Sequence, residues 1–230
     1  MERLVLASGS PRRSELLGRL GIPFSIMVSG TDESQDGHED AKTYAMAMSR
    51  DKAREVAGRL CAAMPGRIPG ETPKGTPGEP LAGNGTGSDP MPAIVLAADT
   101  VVARNGHILG KPVDRGDAAR MLRMLSNGWH EVITGLTLLR TADWTEQTVA
   151  EITRVRFRPL EEDMIARYLD TGEADDKAGA YGVQGYGSLL VERVDGDYYN
   201  VMGLPLHRLS RMLEAMGILP YTWLTNHGEK

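Results

Sequence analysis

Cysteine is nearly absent from this sequence: Cys61 is the one cysteine among 230 residues. A single thiol forms no internal disulfide and builds no cysteine-based zinc site. A chain without disulfides suits a reducing compartment, and we therefore expect a cytoplasmic protein. The first residues, MERLVLASGSPRR, do not resemble a signal peptide, because the apolar run is short and two arginines follow it.

A surplus of positive charge is also missing. The 31 Asp and Glu residues outnumber the 26 Lys and Arg residues, which gives a formal net charge of −5. This argues against a nucleic acid polymer as partner, so any polyanion site must be built locally from a few basic residues. No apolar run approaches the ~18 residues that a membrane-spanning helix needs, so we expect no membrane partner.

Strand-like and helix-like segments alternate along the chain, which predicts an α/β fold. A first helix is predicted to start at Pro11 with Ser10 as N-cap, and a long amphipathic helix over 40–63. Asn105-Gly106 is a strong hairpin signal between two strands. The segment LLVERVDGDYYNVMG predicts a strand, a turn and a second strand, and LPLHRLSRMLEAMG a closing helix.

Residues 65–92 contain seven prolines and seven glycines, so half of this stretch resists regular structure. We interpret it as a flexible surface insertion into a single domain over 1–216, followed by a tail over 217–230. Closure entropy grows only logarithmically with loop length, so such an insertion costs little stability. We expect it to be dispensable.

The stretch ASGSPRRSELL, residues 7–17, places two arginines at the start of the first predicted helix. The free N–H groups and positive dipole end of a helix favour an anion there, whereas cations are unfavourable. A bound phosphate reverses that penalty, and guanidinium groups match phosphate oxygens in geometry. We predict that Ser10, Arg12 and Arg13 hold phosphate; the alternative is a capped helix with two solvated arginines.

Asp99 is the one carboxylate within the apolar strand IVLAADTVV. A buried carboxylate is costly unless it meets a metal, a lysine or a network of donors. Lys111 is a candidate partner or a second phosphate ligand; an ion pair at a strand end is the structural alternative. Glu33 could supply an oxygen ligand to Mg²⁺, and Lys52 lies on the long helix, but each is a weak signal alone.

The segment DKAGAYGVQGYG carries glycines at 179, 182, 185 and 187, which allow close backbone approach and positive φ. Tyr181 could offer a stacking face and Gln184 an amide that reads a base edge. The alternative is a tight connection without a ligand. His130 is expected to be a structural hydrogen-bonding residue, and Cys61 a core residue.

Seven short motifs in this order resemble those of the Maf family of nucleoside triphosphate pyrophosphatases. They are S-x-S-P-R-R (8–13), D-E (32–33), A-D-T (98–100), G-K-P (110–112), H-E-V-I-T-G (130–135), D-K-A-G-A-Y-G-V-Q-G (176–185) and G-L-P (203–205). The resemblance runs from about residue 3 to 216, without the insertion. Each motif is modest alone, but their joint order is specific.

The resemblance implies a long mixed β-sheet flanked by helices around a nucleotide cleft, similar to inosine triphosphatase. It implies metal-dependent hydrolysis of a nucleoside triphosphate to the monophosphate and pyrophosphate, with Mg²⁺ or Mn²⁺. It implies that Asp99 is the proton acceptor and that Ser8, Arg12 and Arg13 contact phosphate. Glu33, Lys52 and Lys111 match other polar residues of the family's cleft. Arg12, Thr100 and Gln184 match the positions tied to substrate choice. A metal would lie on Glu33 and Asp99.

The A-D-T and Y-G-V-Q-G forms resemble the branch of the family that acts on dTTP and UTP. Two alternatives stay open at this point: a 7-methyl-GTP pyrophosphatase, and a nucleotide-responsive regulator of cell division that acts by binding. The family often forms homodimers, which leaves a homodimer open as partner.

Overall fold

The computed structural model describes residues 2–31, 40–63 and 92–218. Glu33, residues 65–91 of the predicted insertion and residues 219–230 of the predicted tail lie outside these ranges, so the expectations for them stay predictions. No helix within the described ranges is long and apolar enough to cross a membrane.

A seven-stranded mixed sheet forms the centre of the fold, in the order β2-β1-β3-β5-β6-β7 with β4 also paired to β3. β1 is parallel to β2 and β3, and the remaining pairs are antiparallel. The strands are β1 (Arg3–Leu6), β2 (Phe24–Ile26), β3 (Ala93–Arg104), β4 (His107–Leu109), β5 (Trp129–Arg140), β6 (Glu146–Phe157) and β7 (Val191–Asp195). The predicted mixed α/β architecture is confirmed.

Six α-helices and two 3₁₀ turns flank the sheet within the described ranges. The helices are α1 (Pro11–Arg19), α2 (Ala41–Ala62), α3 (Arg115–Leu125), α4 (Glu162–Leu169), α5 (Tyr198–Val201) and α6 (Leu206–Ala215), and the turns are Ala178–Ala180 and Gly185–Leu189. β1 is buried on both faces: Leu4 and Leu6 pack with α1 and α6, and Val5 packs with α2. This explains why β1 reads as a continuous apolar run rather than an alternating one.

The hairpin predicted at Asn105-Gly106 is confirmed between β3 and β4. Arg104 pairs with His107, so the loop has two residues, and Asn105 and Gly106 have φ angles of 52° and 79°. The left-handed backbone that this tight turn requires is the one these residue types tolerate.

The predicted second strand of the segment 189–203 is wrong. β7 forms as expected, but residues 198–201 are the short helix α5. Asp197 explains the difference, because its carboxylate caps the helix by accepting from the backbone N–H groups of Tyr199 and Asn200. An Asp directly before the segment is a helix-start signal that outweighs the β propensity of the two tyrosines.

His130 is buried and structural, as predicted. Its Nε2 atom lies 2.8 Å from the Tyr181 hydroxyl oxygen, and both rings contact Phe157 edge-on. Burial, and then the charge of Arg104, lower the pKa of His130 to about 3, so the ring is neutral near pH 7. Tyr181 is only 5% exposed, so little of its ring is accessible, and its role as a stacking face stays a prediction.

α2 packs closely against β5 at Gly135. A Cβ atom added there would lie 2.0 Å from the carbonyl oxygen of Ala45 on α2. Gly135 also pairs with Asp99 across the sheet, so the close approach sets the distance between α2 and the strand that carries Asp99. This gives a packing reason for the glycine that ends the H-E-V-I-T-G motif.

We predict opposite effects for two Gly→Ala substitutions around α2. Gly135→Ala should lower the free energy of unfolding by ~1–3 kcal/mol, because the new methyl group overpacks against helix backbone. Gly58→Ala, within α2 and with no heavy atom near its added Cβ, should raise it by ~0.4–1 kcal/mol. Urea denaturation measures both, and a shift of the same sign in the two variants would contradict this account.

Candidate active site

A cleft lies at the edge of the sheet where β3 has no neighbouring strand. β1 pairs with β3 only up to Leu96, and β4 begins to pair at Val102, which leaves the β3 edge between them open. The cleft at this gap has a volume of about 850 Å³. Its walls are the β1–α1 turn, part of α2, the strand end after β4, the segment before the glycine-rich turn, and the end of α5.

Asp99 lies within this gap and forms a buried ion pair with Lys52 of α2. The Lys52 Nζ atom donates to Asp99 Oδ1 at 2.6 Å, and each residue is 8% exposed. The sequence left a metal, a lysine or a network of donors open as the partner of Asp99. The structure gives a lysine, and it is Lys52 rather than Lys111. Lys111 lines the same cleft. The second carboxylate oxygen, Oδ2, accepts no hydrogen bond from any residue in the described ranges.

Arg13 is fixed by the protein through all three guanidinium nitrogens. Nε donates to the Gly203 carbonyl oxygen at 2.8 Å, Nη1 to Ser8 Oγ at 3.0 Å, and Nη2 to Thr100 Oγ1 at 3.1 Å. These contacts join α1 to β3 and to the turn after α5. Arg13 therefore brings a permanent positive charge to the cleft with little freedom to move.

Arg12 is held much less firmly than its neighbour. Its side chain is 32% exposed, and Nη2 lies 3.4 Å from Asp176 Oδ1. Both residues line the cleft. The two adjacent arginines, which the sequence treats alike and which are both half-buried, thus differ in the number of partners.

The connection between β1 and α1 and the first turn of α1 line the cleft. Ser8 Oγ accepts from the backbone N–H of Ser10 at 3.2 Å, and residues 8–13 all line the cleft. Ser10 occupies the N-cap position as predicted, but its hydroxyl makes no capping hydrogen bond. The helix therefore presents N–H groups that its own N-cap side chain does not satisfy, as an anion site requires.

Comparison with known proteins assigns the chain to a family. A family model described as Maf-like protein matches residues 3–216. This chain belongs to the Maf family.

Three curated relatives illustrate the similarity, each called dTTP/UTP pyrophosphatase. The protein of Acetivibrio thermocellus is 43% identical over 218 residues, which cover 95% of this chain and 97% of the relative. That of Exiguobacterium sibiricum is 45% identical and covers 94% of both chains. That of Symbiobacterium thermophilum is 41% identical, over 96% of this chain and 98% of the relative.

Two Maf positions predicted to govern substrate choice lie in different surroundings. Thr100 lines the cleft, and its hydroxyl lies between Arg13 and Thr134, 2.9 Å from Thr134 Oγ1. Gln184 is half-buried before the turn Gly185–Leu189 and is not among the cleft-lining residues. Its role in substrate choice stays a prediction that its position does not support.

The glycine-rich segment of this Maf protein is organised around one carboxylate. Glu173 accepts from the backbone N–H groups of Tyr186 and Gly187 at 2.8 and 3.0 Å. Gly185 has a φ of 68°, which strains any residue with a Cβ, and a Cβ at Gly187 would lie 2.1 Å from the Gly182 carbonyl oxygen. The glycines therefore serve internal packing, which confirms the expected positive φ and close approach but not contact with a ligand.

Sequence reasoning missed a group of residues that also line the Maf cleft. Asp175, Asp176 and Lys177 directly precede the glycine-rich turns, and Tyr44 lies on α2. Asp176 and Lys177 open the motif at 176–185, but nothing local in the sequence indicates that these charges lie near the arginines. Their position depends on a contact between chain segments 164 residues apart.

The described residues contain no group of three or more His, Cys, Asp or Glu side chains arranged to hold a metal ion. Asp99 fits a metal in a more limited way, because Oδ1 is bonded to Lys52 while Oδ2 has no donor within those same ranges. Mg²⁺ commonly uses one or two protein carboxylates together with substrate phosphates. Asp99 is therefore compatible with a metal that arrives with the substrate.

The unequal anchoring of the two arginines predicts unequal stability effects. Arg13→Lys should lower the free energy of unfolding by ~1.5–3 kcal/mol, because a single ammonium group cannot reach three separate acceptors. Arg12→Lys should change it by less than ~0.5 kcal/mol, because its contact is an exposed ion pair. Guanidinium denaturation of the two matched variants decides this, and equal losses would show that Arg13 is not the anchored one.

Proposed function

We propose that this member of the Maf family hydrolyses dTTP and UTP to the nucleoside monophosphate and pyrophosphate. The observation that carries the proposal is the buried Asp99 carboxylate at the open edge of β3, in a cleft whose walls carry several cations. The curated relatives called dTTP/UTP pyrophosphatase support the choice of substrate.

The charges of the cleft suit a polyphosphate. Its described lining has five basic side chains and three carboxylates; the basic ones are Arg12, Arg13, Lys52, Lys111 and Lys177. Arginine forks and lysine ammonium groups neutralise phosphate oxygens, and the start of α1 adds backbone N–H donors. We assign the phosphate chain to the wall formed by Ser8, Ser10, Arg12 and Arg13, with Lys111 as a further contact.

In this proposal Asp99 is the general base. A water molecule gives a proton to Asp99 and attacks the α-phosphorus; a new P–O bond forms, and the bond from that phosphorus to the bridging oxygen breaks. Pyrophosphate leaves with the electron pair. General-base help of this kind contributes about 10²–10⁴ in rate. Lys52 holds Asp99 through Oδ1, which leaves Oδ2 for the water.

The remaining rate enhancement has to come from positioning and from neutralising the charge that develops in the transition state. Arg13 suits this role because its three hydrogen bonds fix its position before substrate arrives. We further propose Mg²⁺ or Mn²⁺ as the cofactor, with Asp99 and Glu33 as the residues that would hold it. Such an ion would neutralise phosphate charge and lower the pKa of bound water.

Four further expectations accompany this function. We infer a cytoplasmic location from the single cysteine and the absence of disulfides that it implies. We keep Arg12, Thr100 and Gln184 as candidates for substrate choice, among which Thr100 and Arg12 line the cleft. A single domain over 1–216 and a homodimer also remain predictions.

The test is pyrophosphate release by the purified protein with Mg²⁺ or Mn²⁺, across dTTP, UTP, CTP, GTP, dATP and 7-methyl-GTP. We expect release from dTTP and UTP, its loss on chelation of the metal, and a fall of about 10²–10⁴ in kcat for Asp99→Asn with binding retained. Glu192→Gln, an exposed change on β7, serves as the control.

Two results would overturn parts of this proposal. Release from 7-methyl-GTP alone would keep the chemistry and reject the dTTP/UTP branch. Binding without release from any nucleotide would favour the regulator of cell division over the enzyme.

A further inference from the structure

Four of the five basic side chains in the described lining of the cleft fall into two groups that differ in what already holds them. Arg13 is bonded to Ser8, Thr100 and Gly203, and Lys52 to Asp99. Arg12 and Lys177 instead share one exposed carboxylate, that of Asp176. Asp176 Oδ1 accepts from Lys177 Nζ at 2.7 Å and lies 3.4 Å from Arg12 Nη2.

This shared carboxylate connects two chain segments that line the cleft. Arg12 belongs to α1, whereas Asp176 and Lys177 belong to the segment before the glycine-rich turns. The Asp176 side chain is 69% exposed, so water and ligands reach it. The Arg12–Asp176 contact, 3.4 Å long and exposed to solvent, is weak and is readily exchanged for a better partner. The Lys177–Asp176 contact is shorter, at 2.7 Å, but its carboxylate is equally exposed.

Asp176 is negatively charged when a substrate arrives. Burial acts to raise its pKa, but the hydrogen bond and charge of Lys177, followed by the charge of Arg12, lower it overall. A phosphate chain entering the cleft therefore meets an anion already bound to two of the cations it needs. Lys177 stays in place if that contact breaks, because Nζ also donates to the Glu173 carbonyl oxygen at 2.5 Å.

We propose that Asp176 competes with the polyphosphate for Arg12 and Lys177, and so sets how tightly the cleft holds a phosphate chain. The proposal deepens the proposed function and rests on it, since it takes a triphosphate as the ligand. A highly charged triphosphate displaces Asp176 from both cations. After hydrolysis, Asp176 recovers them and helps to release pyrophosphate.

Asp175, next to Asp176 in the sequence, offers a matched control. Asp175 lines the same cleft and is exposed, but it takes part in no ion pair within the described residues. Asp175→Asn thus removes one negative charge from the same part of the cleft without freeing Arg12 or Lys177. The comparison separates competition for cations from general repulsion of an anion.

The experiment is calorimetric titration of the full chain with inorganic pyrophosphate at low ionic strength, with and without Mg²⁺. Asp176→Asn should lower the Kd for pyrophosphate by about five- to tenfold, because two cations become available and a like charge is lost. Asp175→Asn should lower it by about twofold at most, because a separated, solvated charge is strongly screened.

Three outcomes overturn the proposal: an unchanged or higher Kd in Asp176→Asn, an equal decrease in both variants, or no pyrophosphate binding by either the wild-type chain or Asp176→Asn. Pyrophosphate release from dTTP is measured in parallel. If the Kd shift occurs but the wild-type chain releases nothing from dTTP, the proposed function fails while the competition stands. If release occurs without the shift, the competition alone fails.

Discussion

The buried ion pair between Lys52 and Asp99 is the contact on which the arrangement of this site depends. Removing a carboxylate and an ammonium group from water is costly, and only a close, well-aligned contact offsets the loss. The pair achieves 2.6 Å because α2 packs directly against the sheet, and Gly135 permits that approach. The constraint therefore links a helix, a glycine and a strand edge before any ligand is considered.

The cleft itself follows from the unequal lengths of the strands. β3 has 12 residues, whereas β1 has 4 and β4 has 3, so neither covers the middle of the β3 edge. Asp99 lies in that uncovered stretch, facing α2, while the neighbouring Thr100 bonds to Arg13 of α1. One strand thus supplies functional side chains to both sides of the opening, one anchored to each flanking helix.

Local signals in the sequence predicted the helix starts, the Asn105-Gly106 hairpin and the buried His130, because each depends on residues close together in the chain. They also predicted that Asp99 needs a partner, but not that Lys52, 47 residues away, would be it. The burial of Tyr181 and the contact of Arg12 with Asp176 depend on packing between distant segments. The helix at 198–201 was missed because the β propensity of Tyr198 and Tyr199 predicts a strand, whereas the N-cap Asp197 favours a helix.

The most direct test of this account is a double-mutant cycle on the ion pair. Unfolding free energies would be measured for Lys52→Met, Asp99→Asn and the double variant. We predict a coupling energy of about 1–3 kcal/mol, with the double variant more stable than the sum of the single losses implies. Additive effects of the two substitutions would contradict the claim that this pair fixes α2 against β3 and positions Asp99.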